Sequence, residues 1–142
     1  MTDWTDHQAI VEVTLAYAWS LDSGNWDGLD AVFTPNASAD LLGRRSEGRA
    51  AIAERVRSSL APFDSTQHIV TNHQIEVSGD TAHCRCYLQA QHIRKGAPGG
   101  DYYIIAGRYE DDLLRTSDGW RIDHRLLAAM WTEGNAAISG GS

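Results

Sequence analysis

Cysteine is scarce in this chain, which carries only Cys84 and Cys86. Two positions apart on a predicted strand, the two residues point the same way with their Cα atoms roughly 6.5 Å apart, a spacing that would strain a disulfide. Nothing else in the sequence completes a zinc-thiolate cluster. We therefore expect two small, buried, reduced thiols, and we place the protein in the cytoplasm.

Basic residues are outnumbered by acidic ones, and long hydrophobic runs are absent from the sequence. The chain has 12 lysine and arginine residues against 19 aspartate and glutamate residues, for a formal net charge of -7 at pH 7. This balance disfavours binding to nucleic acid or to an anionic membrane surface. No apolar run approaches the roughly 20 residues of a membrane span, and the polar N-terminus does not resemble a secretory signal. We expect neither a nucleic-acid partner nor a membrane partner.

The sequence also lacks the spacings that are typical of metal and nucleotide sites. Its six histidines are spread along the chain, and none forms a His-x-His or helical His-x-x-x-His pair. No glycine-rich loop joins a predicted strand to a helix, and no serine lies in a nucleophile elbow. We therefore predict neither a metal nor another cofactor.

The first strong pattern is helical. Apolar residues recur on two stripes of a helix that we expect to begin with Thr5 or Asp6 as its cap and to end at Gly24. One stripe ends in Asp22, where the pattern requires an apolar residue. The carboxylate either lies in solvent at the helix end or points into a pocket.

The rest of the chain predicts an α+β fold in one domain over residues 1–142, with a loose tail from about residue 136. Helices come first, and an antiparallel meander of long strands follows. Because long strands twist and curl, the first helix can pack in the concave face of a cone-shaped barrel. The predicted elements are a helix over 26–33 capped by Asn25, a strand over 37–42, a polar loop over 43–48, a helix over 49–60, and strands over 67–77, 81–93, 102–115 and 120–131.

The strand over 67–77 contains the most informative histidine. Strict alternation places His68, Val70 and Asn72 on one face and His73 on the other, unless a bulge shifts the register. An imidazole beside an amide is unusual for a purely structural sheet face, so we predict that His68 points into a pocket, with Asn72 near the substrate. A buried histidine bonded to a backbone carbonyl is the alternative.

Candidate pocket walls come from the other strands and from the tryptophans. Small and soft residues on one face of the strand over 81–93 include Leu88, and His92 lies in register with it. Trp26 lies on the helical side and Trp131 flanks the last strand, which favours a roomy apolar cavity, although core packing explains many tryptophans. We assign Leu88, His92, Trp26 and Trp131 to substrate binding. The expected substrate is a cyclic, largely apolar molecule of the steroid, polyketide or terpenoid type.

The chain resembles the SnoaL-like branch of the NTF2-like superfamily over nearly its whole length. The matching segments are Leu-Ala-Tyr-Ala-Trp-Ser-Leu-Asp over 15–22, Asn-Trp-Asp-Gly-Leu over 25–29, Val-Phe-Thr over 32–34, Thr-Gln-His over 66–68, Gly-Arg-Tyr over 107–109 and Asp-Gly-Trp-Arg-Ile over 118–122. The resemblance implies the cone-shaped fold. It also implies a homo-oligomer, a dimer or trimer, that meets through the outer face of the sheet.

Within that branch, the sequence resembles the bile-acid 7α-dehydratase and hexachlorocyclohexane dehydrochlorinase type. Those enzymes use an aspartate near the end of the first helix and a histidine at the start of a later strand, and Asp22 and His68 match. Tyr17 matches a tyrosine of the dehydratases, where the dehydrochlorinase has a lysine. Arg125 is the candidate for a recurring arginine on the last strand. Scytalone dehydratase is a more distant relative, whose second histidine could correspond to His92.

These residues indicate proton-transfer chemistry. Asp22 would fix the tautomer of His68, and His68 would abstract a proton from carbon next to an activating group. Tyr17 would donate a hydrogen bond and Arg125 would hold an oxyanion or leaving group. Both also have plain structural interpretations: Tyr17 as a core aromatic, and Arg125 as a sheet-face arginine, since alternation from Trp120 places it opposite the apolar residues.

The sequence favours a cofactor-independent lyase, a dehydratase, acting on a small apolar molecule. The same dyad would serve an isomerase or a cyclase, because the fold hosts all these reactions. A binding or accessory subunit, such as an oxygenase small-subunit-like domain, is the non-catalytic alternative. It would lack an Asp–His contact inside an apolar pocket.

Overall fold

The computed structural model describes residues 3–139. Two α-helices, two short 3-10 helices and six strands follow one another along this part of the chain. They are α1 (Trp4–Ser23), a 3-10 turn (Trp26–Ala31), β1 (Phe33–Leu41), β2 (Arg44–Glu47), α2 (Arg49–Leu60), β3 (Ser65–Ser78), β4 (Thr81–Ile93), β5 (Tyr102–Thr116), β6 (Gly119–Gly134) and a second 3-10 turn (Ala136–Ser139). The order confirms the predicted α+β fold.

The six strands form one curved, unclosed sheet in the order β2-β1-β6-β5-β4-β3. β1 and β6 run parallel, and every other neighbouring pair is antiparallel. α1 packs in the concave face, with Ile10, Tyr17 and Leu21 among its buried residues. Long meandering strands have curled around an apolar helix, as the sequence predicted.

The ends of α1 follow ordinary capping chemistry. The N-cap is Asp3, whose carboxylate accepts hydrogen bonds from the backbone N–H groups of Thr5 and Asp6. The prediction that Thr5 or Asp6 caps the helix was therefore wrong by a few residues. Gly24 ends the helix with φ 69°, a left-handed conformation that glycine adopts without a Cβ clash.

The predicted polar loop over 43–48 was wrong, because this segment forms strand β2. Leu42 and Gly43 both have positive φ, at 53° and 82°, which gives the two-residue turn that joins β1 to β2 as a hairpin. The strand predicted over 37–42 begins earlier, at Phe33. Pro35 is accommodated because the pairing of β1 with β6 is irregular between Phe33 and Ser38.

The structure also tests the predictions for the two cysteines and for the C-terminal segment. Cys84 and Cys86 are free and buried, as predicted. The tail from residue 136 was expected to be loose, but Ala136–Ser139 forms a 3-10 turn in which Ile138 is buried. The remainder of that predicted tail, residues 140–142, lies outside the described residues. None of the described helices combines the length and apolarity needed to cross a membrane.

Candidate active site

A cavity of about 390 Å³ opens between the concave face of the sheet, α1 and α2. Its walls are mostly apolar, and a few polar side chains face into it. The apolar walls include Leu21, Val56, Phe63, Leu88, Ile105 and Leu127, and the polar side chains include Tyr17, Arg44, Arg55, His68, His92 and Tyr103. Its size and composition are typical of a site for a small organic molecule.

Asp22 and His68 meet at the wall of this cavity. Asp22 lies in the last turn of α1 and His68 near the start of β3, so two distant segments supply the pair. His68 Nδ1 lies 2.6 Å from Asp22 Oδ1, and the His68 side chain is only 5% exposed. The backbone N–H of His68 donates to Asp22 Oδ2 at 2.8 Å, and the hydroxyl of Thr66 donates to Oδ1 at 3.0 Å. Three donors therefore converge on one carboxylate.

These contacts favour an ionised Asp22 and a His68 tautomer with its hydrogen on Nδ1. Burial acts to raise the pKa of Asp22, but the hydrogen bonds from the ring and backbone of His68 and from the Thr66 hydroxyl lower that pKa below its ordinary value. An ionised carboxylate only accepts hydrogen bonds, so Nδ1 of His68 carries the hydrogen. In the neutral form of this tautomer, the lone pair lies on Nε2.

His92 is a second imidazole in the cavity wall. Its Nδ1–H donates to the backbone carbonyl of Tyr103 at 3.0 Å, and its ring contacts Phe63 and faces His68 edge-on at 6.2 Å between ring centroids. Burial lowers the pKa of His92, and the backbone carbonyl of Tyr103 offsets this only in part. His92 is thus a neutral ring with an unprotonated Nε2.

Tyr17 lies deeper, between the cavity and the core. It is 2% exposed and packs edge-on against Phe33 and Tyr109, with ring centroids 5.8 and 5.7 Å away. Burial raises the pKa of Tyr17, and the positive charge of Arg125 counteracts this only in part. The hydroxyl therefore remains protonated near neutral pH and can act as a hydrogen-bond donor.

Arg125 faces the concave side but does not line the cavity. A register shift between Asp112 and Leu113 interrupts the alternation of β5 with β6, and it turns Arg125 inward, contrary to simple alternation from Trp120. Its guanidinium binds Asp111 through two hydrogen bonds of 2.7 and 2.9 Å, and both side chains are fully buried. The predicted role of Arg125 as a direct substrate contact is thus contradicted, because its guanidinium group is already bound to the carboxylate of Asp111.

Aromatic rings cover the other side of the guanidinium of Arg125. Its central carbon lies 3.7 Å from the ring centroid of Tyr109 and 4.3 Å from that of Tyr17. Burial alone would lower the pKa of Arg125, but the charge and hydrogen bonds of Asp111 raise it above its ordinary value. The arginine is a permanent cation beneath two tyrosines that line the cavity.

Three predicted substrate contacts lie away from the cavity. Asn72 occupies a bulge of β3 with φ 60°, and it borders a depression on the outer face of the sheet with Met130. Trp131 pairs with Ala106 after a second register shift, and it is 49% exposed. Trp26 packs against the core without reaching the cavity. Each prediction failed because bulges or core packing overrode the pattern.

The bulge in β3 also corrects the prediction for His73. Strict alternation placed this histidine on the opposite face, but after the bulge it points inward, where its Nε2 lies 2.8 Å from the hydroxyl of Thr14.

Leu88 and His92 line the cavity together with His68, since β4 keeps regular alternation.

Sequence reasoning missed several residues that shape the site. Thr66 shares the face of His68 by alternation, so the pattern could have identified it as a donor to Asp22. Tyr103, Arg44 and Arg55 gave no such signal, because they reach the cavity through the curvature of the sheet and the packing of α2. Within residues 3–139, no group of three or more histidine, cysteine, aspartate or glutamate side chains is arranged to hold a metal ion.

Comparisons with known proteins agree with this architecture. A curated relative from Mycobacterium tuberculosis, the uncharacterized protein Rv2910c, is 31% identical over 125 residues, which cover 86% of this chain and 84% of the relative. The terrestric acid biosynthesis cluster protein E of Penicillium crustosum is 28% identical over 142 residues, covering 96% of this chain and 90% of that protein.

A solved structure of a type 2 hexachlorocyclohexane dehydrochlorinase (LinA) superposes with a TM-score of 0.83 at 18% identity, over 94% of this chain and 90% of that chain. At this identity the likeness concerns the fold alone. The family model described as a SnoaL-like domain matches residues 2–126. The chain therefore belongs to the SnoaL-like domain family.

Proposed function

We propose that the protein is a cofactor-independent lyase that removes water from a cyclic, largely apolar molecule, with His68 as the base and Asp22 as its orienting partner. The observation that carries this proposal is the 2.6 Å contact between the two side chains at the wall of an apolar cavity. A purely structural histidine would not need a cavity beside it, and a docking subunit would not need the Asp–His contact.

The elimination can be written with groups that line the cavity. Nε2 of His68 takes a proton from carbon next to a carbonyl, and the C–H electron pair forms the new double bond as the C–O bond breaks. Asp22 stabilises the imidazolium that results. The imidazolium then gives the proton to the departing hydroxide, so that water leaves and His68 returns to its neutral form.

Tyr17 would assist as a hydrogen-bond donor and not as the proton source. Its raised pKa makes a tyrosinate costly, whereas its hydroxyl can stabilise an enolate oxygen or a leaving hydroxyl. Neutral His92 offers an acceptor nitrogen for a substrate hydroxyl. The apolar walls, including Leu88 and Phe63, would hold the rings of the substrate.

The relative from Penicillium crustosum supports a substrate from small-molecule biosynthesis, since that protein is named for a biosynthesis cluster. A steroid, polyketide or terpenoid skeleton agrees with the apolar walls. The expected location remains the cytoplasm.

Double-bond isomerisation is a second candidate, and the position of Arg125 favours it. Dehydration is faster when a cationic or hydrogen-bonding group stabilises the leaving hydroxyl. Arg125 does not supply that group, because it is bound to Asp111 outside the cavity. Isomerisation needs only a base that returns its proton to a second carbon, with Tyr17 or another donor on the enolate oxygen.

The test is a screen of bicyclic β-hydroxyketones and unsaturated ketones, with products identified by mass spectrometry and NMR. We expect the wild-type protein to release water from at least one hydroxyketone, and His68→Ala to lose roughly 10²–10⁴-fold of that rate. His83→Ala is the matched control, because this histidine is half-exposed on the outer face and pairs with Asp112. Equal rates for wild type and His68→Ala would contradict the proposal.

We also propose a homo-oligomer that uses the outer face of the sheet. Exposed apolar side chains there include Ile69, Tyr87, Leu114, Met130 and Trp131. Light scattering of the purified protein should give the mass of a dimer or trimer, and a monomer at micromolar concentration would refute this.

A further inference from the structure

Two arginines line the cavity that holds His68. Arg44 comes from β2 and is exposed, which places it at the open side, and Arg55 comes from α2 and is half-buried. Among residues 3–139, neither side chain forms an ion pair or donates a hydrogen bond to the protein. The cavity is therefore apolar in its walls and positively charged where it opens.

Among the described residues, five of the eleven arginines form no ion pair, namely Arg44, Arg55, Arg85, Arg94 and Arg121, and of these five only Arg44 and Arg55 line the cavity. Six other arginines bind carboxylates, which are plentiful in a chain of net charge -7. These six are Arg45, Arg49, Arg57, Arg108, Arg115 and Arg125. On α2 itself, Glu54 is held by Arg57 and by the hydroxyl of Ser58. Available carboxylates thus pair elsewhere, while two cations face one cavity.

The two guanidinium groups also repel each other. The pKa of Arg55 is lowered, first by burial and then by the charge of Arg44. Two like charges at the opening of a low-dielectric cavity are unfavourable until an anion joins them. Planar guanidinium groups bind carboxylates through two parallel hydrogen bonds, which makes a pair of arginines well suited to one carboxylate.

We propose that Arg44 and Arg55 form a subsite for a carboxylate of the substrate, so that the natural substrate is a cyclic organic acid. The ring system lies against the apolar walls beside His68, and the acid group lies at the opening, away from the reacting carbon. This inference rests on the proposed function for the identity of the reacting carbon, but the binding of the acid group can be measured without any turnover.

The test is a binding titration by NMR with two ligands of matched shape, 6-hydroxy-2-naphthoate and its neutral methyl ester. We expect the wild-type protein to bind the acid about 10-fold or more tightly than the ester. The preference should shrink as sodium chloride is raised, because ions screen the charges at the opening.

The variants are Arg44→Gln, Arg55→Gln and the double variant, which should abolish the preference and leave ester binding unchanged. A double variant Arg85→Gln with Arg108→Gln is the matched control. It has the same net charge, but both side chains lie on the outer face of the sheet. Because neither Arg44 nor Arg55 has a hydrogen-bond or ion-pair partner in the described part of the chain, their replacement should not lower the melting temperature, and this can be checked on the same samples.

An acid that binds no better than the ester, including the case in which neither binds at about 1 mM, would overturn the proposal. So would an equal loss of the preference in the outer-face control. Failure of the proposed function looks different. In that case the preference for the acid persists in the wild type and in His68→Ala, while no ketone in the activity screen is converted.

Discussion

Two carboxylates on the concave side of the sheet each bind a nitrogen-containing side chain, and the two pairs differ in surroundings and in chemistry. Asp22 binds His68 at the wall of a cavity that a small molecule can enter. Asp111 holds Arg125 in full burial beneath Tyr17 and Tyr109, where the guanidinium stays charged. The first pair is the one to which we assign proton transfer in our proposal, and the second is buried in the core.

The two pairs also differ in which nitrogen atom remains without a hydrogen-bond partner. Asp22 accepts three hydrogen bonds and leaves Nε2 of His68 unbound on the cavity side. Asp111 uses both oxygens on Arg125, and the remaining Nη1 has no partner apart from the aromatic rings. A predicted cation contact for the substrate therefore belongs to the core, and the cations at the cavity opening are Arg44 and Arg55.

The largest effect should come from breaking the buried pair. Asp111→Ala leaves the charge of Arg125 buried and uncompensated, so we expect a loss of about 3–5 kcal/mol in the free energy of unfolding. Urea denaturation measures this. Asp112→Ala is the control. This neighbour is exposed and pairs with His83 on the surface, so its loss should cost less than about 1 kcal/mol. Equal effects would contradict the structural role of Asp111.

Breaking the other pair should act on activity. Asp22→Asn removes the charge that stabilises the imidazolium and weakens control of the tautomer of His68, so we expect kcat to fall by roughly 10²-fold with a smaller change in KM. Thr66→Val should have a weaker effect in the same direction, since it removes one of three donors. An active Asp22→Asn variant would mean that His68 works without its partner.

Acid should affect a third carboxylate, Asp6, which also pairs with an arginine but lies in the first turn of α1. Hydrogen bonds from Arg115 and then Trp120 lower its pKa to about 2. A lowered pKa means that the stabilisation is complete above the unfolded value near 3.8 and is lost as pH falls towards 2. Urea titrations between pH 2 and 6 should show this loss, and Asp6→Asn should flatten it. An unchanged slope in the variant would refute the assignment.

A smaller pH effect should come from His92. Burial lowers its pKa, so the unfolded chain binds a proton more readily than the folded protein below about pH 6.5. Stability therefore decreases as pH falls from that value towards the folded pKa. NMR titration of the ring protons should show His92 titrating below pH 6.5, and His92→Phe should remove its share of the pH dependence. Titration at or above 6.5 would contradict the burial argument.

The sequence predicts regular elements well and bulges poorly, and the site shows both results. Asp22 and His68 were identifiable because a carboxylate interrupts a helical apolar stripe and a histidine opens an alternating strand. Asn72 and His73 were misplaced because a register shift in β3 reverses the facing of side chains, and Arg125 faces inward as predicted but is bound to Asp111; no residue pattern marked the register shifts. Regular alternation in β4 gave Leu88 and His92 correctly on the cavity side.

Residues that line the cavity because the sheet is curved could not be predicted from the sequence. Arg44 sits on a strand predicted as a loop, and Arg55 sits on a helix whose polar face gave no hint of a cavity. Trp26 misled because a large aromatic residue predicts burial without showing what it packs against, and Trp131 misled because a register shift leaves it exposed.

The most direct test of the central claim is hydrogen exchange at carbon, followed by NMR in D₂O with 2-tetralone, a bicyclic ketone without a leaving group. The account predicts that the wild-type protein accelerates exchange of the protons next to the carbonyl over buffer. It also predicts that His68→Ala and Asp22→Asn lose the acceleration while remaining folded. Exchange no faster than in buffer, or equally fast in His68→Ala, would contradict the assignment of His68 as the base.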